Sequence, residues 1–576
     1  MDKMVESSSS KTALIAPAGI TLWWLVAVSA GWQPGVAAWT GLSLAFWPLA
    51  WPALRRAGIA PAHTLTLFCG WLIIALPFSV EPLNSLWTVS QYLVYVAFYF
   101  AVCGAGDRAK EWITRIAHIA AYAAALWILT AKFYSGEWLG AVFQGTRLNA
   151  AACFAAAAFA GSFAVVLDET YPRWKRAASA LPAIIALSAV AATGSRGGLL
   201  ATASAVALAL AYSRRWKALL WCAAAVTTAG LLAPQSILNV VFKSGDPYAL
   251  GRLHIWKVAL AVIAHNPLCG VGAGCFERGY LALTTAYQTG LSFFGHYALS
   301  AHSQPLNLAA ESGLPAAVLF LIFALGAFWN GRKNPAALRP LLIAGAVFVQ
   351  SLADGIMFYA PVSLLFFGML ACAQPEAETE PVRRLPRAVP ALAFIFCAAA
   401  AIMQAYGRDA LERLNSPSAP AARAEAARQA LTIYTQDTGI WFDAARLELQ
   451  NPVPSPYAAL DKLNRAAELS PKSALYHYQR GGIYALLGLY PKAAEDFSAA
   501  LRLEPNYTAP YAALAILAAQ SGDAAAAKKL VAAAENVAAL CAASARGGYE
   551  KGILCVPADA ELAAARALLS KRLLNR

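Results

Sequence analysis

Residues 149–167 read NAAACFAAAAFAGSFAVVL, a stretch without a single charged side chain. A helix that crosses the hydrocarbon of a bilayer needs roughly 20 mostly apolar residues. Alanine and glycine fill just over half of these positions, and such small residues let helix backbones approach closely where lipid supplies no hydrophobic drive between helices. The stretch therefore predicts a transmembrane helix that packs tightly against its neighbours.

The composition extends this prediction to most of the chain. Hydrophobic residues make up 59% of the 576 residues and charged residues only 13%, with a mean hydropathy of +0.52. Soluble proteins are about half apolar and a quarter charged, which excludes an ordinary soluble enzyme and a disordered or collagen-like chain. The net charge of +14 does not indicate nucleic-acid binding, because the basic residues mostly punctuate apolar runs.

The predicted fold is all-α, a polytopic membrane bundle of about 12–13 transmembrane helices. The candidate spans are residues 13–31, 35–54, 63–80, 86–104, 114–133, 149–167, 179–194, 198–212, 217–234, 314–330, 340–358, 361–374 and 388–405. We expect the first to be an uncleaved helix rather than a secretory signal, because its leader is serine-rich and no clear cleavage pattern follows it.

Charged residues are unevenly distributed along the chain. Residues 1–404 hold 26 basic and 15 acidic side chains, whereas the much shorter stretch 405–576 holds 19 and 16. The charged fraction therefore doubles near Gln404. We predict a membrane domain over residues 1–405 and a water-soluble domain over residues 406–576.

Lysine and arginine concentrate in alternate loops, which orients the bundle because cytoplasmic loops carry an excess of both. With a cytoplasmic N-terminus, the clusters on the cytoplasmic side are Arg55-Arg56, Arg108 with Lys110, Arg173-Trp174-Lys175-Arg176, Arg214-Arg215-Trp216-Lys217, Arg332-Lys333 with Arg339, and Arg383-Arg384 with Arg387. Thirteen spans then place the C-terminal domain outside the cytoplasm, and one miscounted span would reverse this.

One non-cytoplasmic loop, residues 235–313, is far longer than the others. It holds four of the seven histidines, which are His254, His265, His296 and His302. Long loops in compact domains are usually functional or carry their own helices. Helical periodicity predicts short helices over residues 250–265 and 303–311, at the outer mouth of the bundle.

A few arginines lie on the outer side against the general trend, namely Arg147, Arg196, Arg252 and Arg278. Arg196 stands in the turn Thr193-Gly194-Ser195-Arg196-Gly197-Gly198 between two apolar spans, where a guanidinium is costly and typically functional. The alternative is an arginine that extends to lipid headgroups. Arg252, His254 and Lys257 share a helical face, which suits either a binding site or an interfacial amphipathic helix.

His302 precedes a span on the outer side, and histidine is a residue type that suits a general base. A lone histidine is more often structural, and that alternative stays open.

No metal site is predicted, because no His/Asp/Glu set has zinc spacing and the ten cysteines are scattered singly. The glycines of residues 270–274 match no phosphate-binding motif and are better explained by close packing. Fixed guanidiniums and a histidine beside an apolar bundle indicate an anionic lipid substrate, such as a lipid pyrophosphate.

Four stretches resemble the O-antigen ligase superfamily, which includes O-antigen polymerases and bacterial protein O-oligosaccharyltransferases. They are residues 140–149, Ser195-Arg196-Gly197-Gly198, Arg252 through Trp256 together with Pro267 through Phe276, and residues 302–314. Asp354-Gly355-Ile356-Met357-Phe358-Tyr359 resembles a stretch of the protein-glycosylating members more loosely. Ser303 departs from the family pattern, in which many members have asparagine.

The resemblance implies a GT-C-type glycosyltransferase of the bacterial inner membrane that uses no metal or cofactor and takes its glycan from undecaprenyl pyrophosphate. By the same resemblance, Arg196 and Arg252 would hold the pyrophosphate, and His302 would position or deprotonate the acceptor hydroxyl, with inversion at the anomeric carbon. Further residues expected to contact substrate are Arg147, Asn149, His254, Lys257 and Glu311.

Several functions stay open at this point. The acceptor could be lipid A core, a protein hydroxyl, or another lipid-linked glycan, and the first two rank slightly above polymerisation. A polytopic transporter of lipid-linked glycans is the alternative from another class, although no inverted repeat is visible among the spans. A membrane anchor for a scaffold would leave the histidine-rich loop unexplained.

The C-terminal domain contains a 34-residue repeat. Residues 474–507 fit a tetratricopeptide repeat, residues 508–541 fit it in part, and residues 440–473 are less regular. Such hairpins stack into a superhelix that binds partner chains, and a passive helical cap is the alternative. If this domain is periplasmic, the pairs Cys541–Cys555 and Cys269–Cys275 become candidate disulfides.

Overall fold

A computed structural model describes residues 46–50, 60–135, 146–234, 251–284, 287–289, 291–293, 298–375, 389–451, 453–543 and 559–574. These residues are almost entirely helical, as predicted. The chain divides into two compact units, one of residues 1–274 with 300–404 and one of residues 275–299 with 405–576. Sequence-based boundaries put residues 275–299 in the membrane domain, whereas in the structure they pack in the second unit.

The first unit is a helical bundle. Its described α-helices are α1 (Ala60–Ala75), α2 (Pro82–Cys103), α3 (Asp107–Ser135), α4 (Thr146–Leu167), α5 (Arg173–Ala178), α6 (Ala180–Thr193), α7 (Arg196–Tyr212), α8 (Trp216–Leu232), α9 (Gly251–His265), α11 (Gln304–Gly331), α12 (Leu338–Ala353), α13 (Ala360–Ala373) and the start of α14 (Val389–Leu414). Helix α10 belongs to the second unit and is introduced below.

Seven helices of the described residues are long and apolar enough to cross a membrane, and four more are apolar but shorter. Together they account for the last eleven predicted spans, which confirms a multi-pass membrane protein. The predicted spans 13–31 and 35–54 lie outside the described residues, apart from a helical stretch at 46–50.

The alanine-rich helix α4 lies at the centre of this unit, where it packs against α3, α6, α7 and α12. None of residues 150–158 is more than 1% exposed. A Cβ built on Gly198 of α7 would lie 3.0 Å from the Ala152 Cβ. The small residues therefore permit the close packing that the sequence predicts.

The outer surface of the bundle is apolar. Large side chains such as Trp127, Ile184 and Leu325 are more than half exposed, and no residue of α8 is buried by the described chain. Exposed apolar patches of this extent are expected where lipid, not water, covers the helices.

Helix α11 is broken at Gly313, whose backbone angles are φ 85° and ψ 167°. The break leaves helical carbonyls without their usual partners, and the glycine-rich loop satisfies them. Val271 N–H donates to the Ala310 carbonyl at 2.9 Å and Gly272 N–H donates to the Glu311 carbonyl at 2.8 Å. Gly270 must lack a side chain, because a Cβ there would lie 2.3 Å from the Glu311 carbonyl carbon. Close packing explains these glycines, as predicted.

Substitution of Gly313 by alanine should destabilise the first unit. Its φ is positive, and a Cβ would lie 1.6 Å from the Leu268 carbonyl oxygen, so we expect a loss of about 3 kcal/mol. Thermal unfolding of the detergent-solubilised protein measures this. Gly70→Ala is the matched control, because nothing lies within 4 Å of its Cβ position on α1. Equal melting temperatures for the two variants would contradict the packing described.

Charged side chains lie near both ends of helix α12. A cavity of about 580 Å³ is lined by Arg108, Lys110 and Arg339 together with acidic and apolar residues. Helix α12 begins beside this cavity and ends at Ala353, about 24 Å away at 1.5 Å per residue. Parts of three predicted cytoplasmic loops, residues 107–111, 168–171 and 334–340, thus lie at one end of α12, and Asp354 lies at the opposite end.

The second unit combines part of the long loop, residues 275–299, with the C-terminal residues 405–576, which form the tail. Its described elements are α10 (Phe276–Leu283), β1 (Tyr287–Thr289) paired antiparallel with β2 (Leu291–Phe293), the end of α14, α15 (Pro420–Ala430), α16 (Thr438–Gln450), α17 (Pro456–Leu469), α18 (Ala474–Leu486), α19 (Tyr490–Leu503), α20 (Thr508–Ser521), α21 (Ala524–Ala543) and α22 (Asp559–Leu574).

Three helical hairpins, α16–α17, α18–α19 and α20–α21, follow the predicted 34-residue period and pack on one another in order. Gly481 lies against Phe497, where a Cβ would approach the ring to 2.7 Å. Ala493 and Ala500 are fully buried in the same hairpin. The tetratricopeptide-type fold is therefore confirmed, and helix α22 packs on α20 at its end.

One buried carboxylate makes this hairpin sensitive to acid. Arg480 donates to Asp496 from Nε and Nη2, both at 2.7 Å, and His477 Nδ1 lies 3.2 Å away. Burial alone raises the pKa of the Asp496 carboxyl, but the hydrogen bonds with Arg480 and His477 outweigh it and hold that pKa below the ordinary 3.8.

Because the folded-state pKa lies below the unfolded-state value, Asp496 stabilises the tail above about pH 3.8, and this stabilisation is lost as the pH falls through the folded-state pKa. We expect hydrogen exchange in residues 474–503 to rise over that range in the wild type and to change less with pH in Asp496→Asn. Asp461→Asn, at an exposed position on α17, should behave as the wild type. An Asp496→Asn profile identical to the wild type would refute this role.

Of the two candidate disulfides, the structure describes only the pair Cys269 and Cys275, and these two cysteines are not bonded to each other. The side chain of Cys541, and Cys555, lie outside the described residues.

Candidate functional site

Three elements bring Arg252, His302 and Asp354 together at the end of the bundle opposite the basic loops. Arg252 stands in the first turn of α9, His302 just before α11, and Asp354 just after α12. The Arg252 Nη2 lies 3.4 Å from the Asp354 Oδ1, and the His302 Nδ1 lies 3.8 Å from the same oxygen. Asp354 therefore stands between a guanidinium and an imidazole.

Burial differs between the three side chains. Asp354 is 4% exposed, whereas Arg252 and His302 are 30% and 24% exposed. The Arg252 Nη1 also donates to the Ala353 carbonyl at 2.7 Å. The carboxylate thus forms the floor of the site, and the two cationic or basic groups are open to a ligand.

Several buried polar atoms at this site lack hydrogen bonds. The His302 Nδ1, the Asp354 Oδ2 and the Gln350 Oε1 make none to any described residue. A buried polar atom without a partner costs about 1–3 kcal/mol, and native structures leave few of them. Their concentration around Asp354 is typical of a site that binds a polar ligand.

The backbone of His302 is in the left-handed region, with φ at 48°. This conformation is uncommon for residues other than glycine and often marks functional sites. Neighbouring side chains hold it: Asn307 accepts from the Ala301 N–H at 3.0 Å, and Ser300 accepts from the His302 N–H at 3.4 Å. The buried Ser303, at the departure from the family pattern, caps no N–H in the described part of α11.

The Arg196 turn packs against the same carboxylate. Ser195 accepts from the Gly198 N–H and donates to the Asn149 Oδ1 at 2.9 Å. A Cβ on Gly197 would lie 3.2 Å from the Asp354 Oδ2, so only glycine allows this approach without displacement. Arg196 itself is half-buried at the start of α7.

The remaining predicted site residues are placed differently. Asn149 binds the Arg196 turn through Ser195, and its carbonyl accepts from Gln350 Nε2 at 3.0 Å. His254 is half-buried and Lys257 is exposed on α9. The Arg147 side chain lies outside the described residues.

Glu311 is buried, at 5% exposure, and lines a cavity of about 50 Å³ together with Gly274, Ser300 and Gln304. Gln304 Nε2 donates to the Tyr92 hydroxyl at 2.8 Å in the same wall. The cavity has room for only a few water-sized groups, and Glu311 stays a candidate substrate contact.

Sequence reasoning missed Asp354 and Gln350 as site residues. Asp354 belonged only to a loosely matching stretch, and nothing in its immediate sequence reveals Arg252 and His302, which come from other helices. Among the described residues no group of three His, Cys, Asp or Glu side chains is placed to hold a metal ion.

The fold and this site define a polytopic membrane protein with a polar, arginine-containing site at one end of its bundle. Residues 181–321 match the family model described as O-Antigen ligase. Residues 181–321 are therefore similar to the O-antigen ligase family, in agreement with the resemblance seen in the sequence. This range includes Arg196, Arg252 and His302, ends before Asp354, and supports a glycan-transfer role of the ligase or polymerase type.

A comparison with solved structures finds the crystal structure of yeast Tom70, with a TM-score of 0.20 and 14% identity over 79% of this chain and 84% of that chain. The description of the tail rests on its own repeats. A search of curated proteins gave no match.

Proposed function

We propose that the protein transfers a glycan from undecaprenyl pyrophosphate to an acceptor hydroxyl at the periplasmic face of a bacterial inner membrane. The observation that carries this proposal is the position of Asp354 between Arg252 and His302, with unpaired buried polar atoms around it. The O-antigen ligase domain over residues 181–321 supports the same class of reaction.

Arg252 and Arg196 would bind the pyrophosphate. Guanidinium groups hold phosphate oxygens through paired, charge-assisted hydrogen bonds. The Ala353 carbonyl and Asp354 fix the Arg252 head, so that the positive charge is in place before the reaction. Arginines so placed stabilise the charge that develops on the leaving pyrophosphate.

His302 would act on the acceptor. With Nδ1 facing the Asp354 carboxylate, the favoured tautomer carries its proton on Nδ1 and keeps the Nε2 lone pair free. The acceptor oxygen attacks the anomeric carbon, the carbon–oxygen bond to the pyrophosphate breaks, and Nε2 takes the hydroxyl proton. Undecaprenyl pyrophosphate leaves from the opposite face, which gives inversion.

The position of the site supports the periplasmic assignment. Arg108, Lys110 and Arg339, from loops that are expected on the cytoplasmic side, lie at the other end of α12. Residues 275–299 and the tail form one compact unit, and four apolar helices, α11 to α14, separate them along the chain. An even number of crossings returns the chain to the same side, so the tail would also be periplasmic.

Reconstitution tests the proposal. The full chain in proteoliposomes receives purified undecaprenyl-pyrophosphate glycan with lipid A core, a hydroxyl-bearing protein, or a second lipid-linked glycan as acceptor. We expect transfer to lipid A core or protein, with or without EDTA. Elongated lipid-linked glycan would identify a polymerase. Translocation of the donor without any transfer would refute the proposal and favour a transporter.

A further inference from the structure

Helix α10, which closely follows Gly274 in the chain, is anchored to the tail. Arg278, in the first turn of α10, places its Nη2 2.8 Å from the Asp437 Oδ2, and its Nη1 lies 3.3 Å from Glu277. The Arg278 side chain is only 12% exposed. Asp437 also caps α16 by accepting from the Ile440 N–H at 3.0 Å, so its carboxylate is held in place.

A second contact fixes the other end of the same helix. Lys472 Nζ donates to the Thr284 carbonyl at 2.5 Å, and Thr284 is 2% exposed. Asp437 precedes the first hairpin of the tail, and Lys472 lies between the first and second. The tail therefore holds α10 at its first turn and at its C-terminal cap.

The anchored helix is joined directly to the site on its N-terminal side. Cys275, its N-terminal cap, follows Gly274, which lines the small cavity together with Ser300 and Ser303. Ser300 also accepts the hydrogen bond from the His302 N–H. A shift of the anchored helix would therefore displace Gly274 in the cavity wall that it shares with Ser300 and Ser303, next to the backbone that holds His302 in its left-handed conformation.

We propose that the tail is a positioning element for this chain's own catalytic loop, with Arg278 and Asp437 as the positioning residues. The ligand of the first tetratricopeptide-type hairpins is then the segment 275–284 of the same molecule. This inference rests on the proposed function, because it assigns His302 its role. Surface ion pairs contribute little, but Arg278 is largely buried and pairs with two carboxylates.

The test uses Arg278→Glu, which puts a third carboxylate beside Glu277 and Asp437. We expect kcat to fall about 10- to 100-fold, as for a misplaced catalytic group, with the KM for the lipid-linked donor within about threefold. Arg278→Lys should recover most of the loss. Asp437→Asn, which removes the charge and retains the cap, should lower kcat less than Arg278→Glu.

The matched control is Lys462→Gln, which breaks the ion pair with Glu448 at 2.9 Å between α16 and α17, at 24% and 22% exposure. It should leave kcat unchanged. A fall in kcat equal to that of Arg278→Glu would mean that tail stability alone matters, and would overturn the inference.

Hydrogen exchange provides a readout that is independent of activity. Arg278→Glu should accelerate exchange in residues 298–307 of the full chain, and Lys462→Gln should not. Unchanged exchange there, or a kcat within twofold of the wild type, would overturn the positioning role. If Arg278→Glu exchanges faster there but the wild-type protein itself transfers no glycan, the proposed function is refuted instead.

Discussion

Replacement of His302 by alanine is expected to lower the rate of glycan transfer by about 10²- to 10⁴-fold, the usual contribution of a positioned general base. The imidazole lies 3.8 Å from the Asp354 carboxylate and is partly open to a ligand. Its loss would leave the acceptor hydroxyl without a proton acceptor. Initial rates with a reconstituted donor and acceptor, at equal amounts of inserted protein, measure the effect.

The matched control for this prediction is His265→Ala. His265 is an exposed histidine at the end of α9, and its loss should change the rate by less than twofold. Should His302→Ala transfer glycan at nearly the wild-type rate, the base would have to be another group.

Asp354→Asn should lower kcat/KM by about 10²- to 10³-fold although the two side chains have nearly the same shape. The amide carries no charge to hold Arg252, and it can present an N–H to the His302 Nδ1, which favours the wrong tautomer. The Ala353 carbonyl still binds Arg252, so the protein should insert and fold. Asp168→Asn, beside the cavity at the other end of the bundle, should retain full activity.

Retention of full activity by Asp354→Asn would show that the carboxylate is only structural. A loss of activity together with a lower melting temperature would also indicate that the carboxylate has a structural role. We expect the melting temperature to stay close to that of the wild type, because the Asp354 Oδ2 makes no hydrogen bond to any described residue.

The spans were predictable because lipid imposes a simple requirement of length and apolarity on each helix. The alanine run at residues 150–158 indicated a helix that packs tightly against its neighbours. The break at Gly313 falls between the predicted short helix 303–311 and the predicted span 314–330, but the sequence does not reveal its cause. Its cause is the loop at residues 267–272, whose N–H groups pair with the freed carbonyls, and pairing between distant backbones leaves no local periodicity.

The site was predictable only in part. Arg196, Arg252 and His302 stand out because charged groups are rare near apolar spans. Asp354 does not stand out, because its role depends on Arg252 and His302, which come from other parts of the chain. In the same way the repeat period predicted the tail, whereas the pair Arg278–Asp437 joins residues with no sequence relation, so the sequence does not indicate that residues 275–299 cluster with the tail.

The central claim is that Arg252 and Arg196 hold a lipid diphosphate beside His302. A structure of the full chain with undecaprenyl pyrophosphate in a lipid nanodisc tests it most directly. We predict diphosphate oxygens about 2.7–2.9 Å from the Arg252 guanidinium, at the Asp354 end of α12. A diphosphate bound instead in the 580 Å³ cavity beside Arg108 and Arg339 would contradict the account.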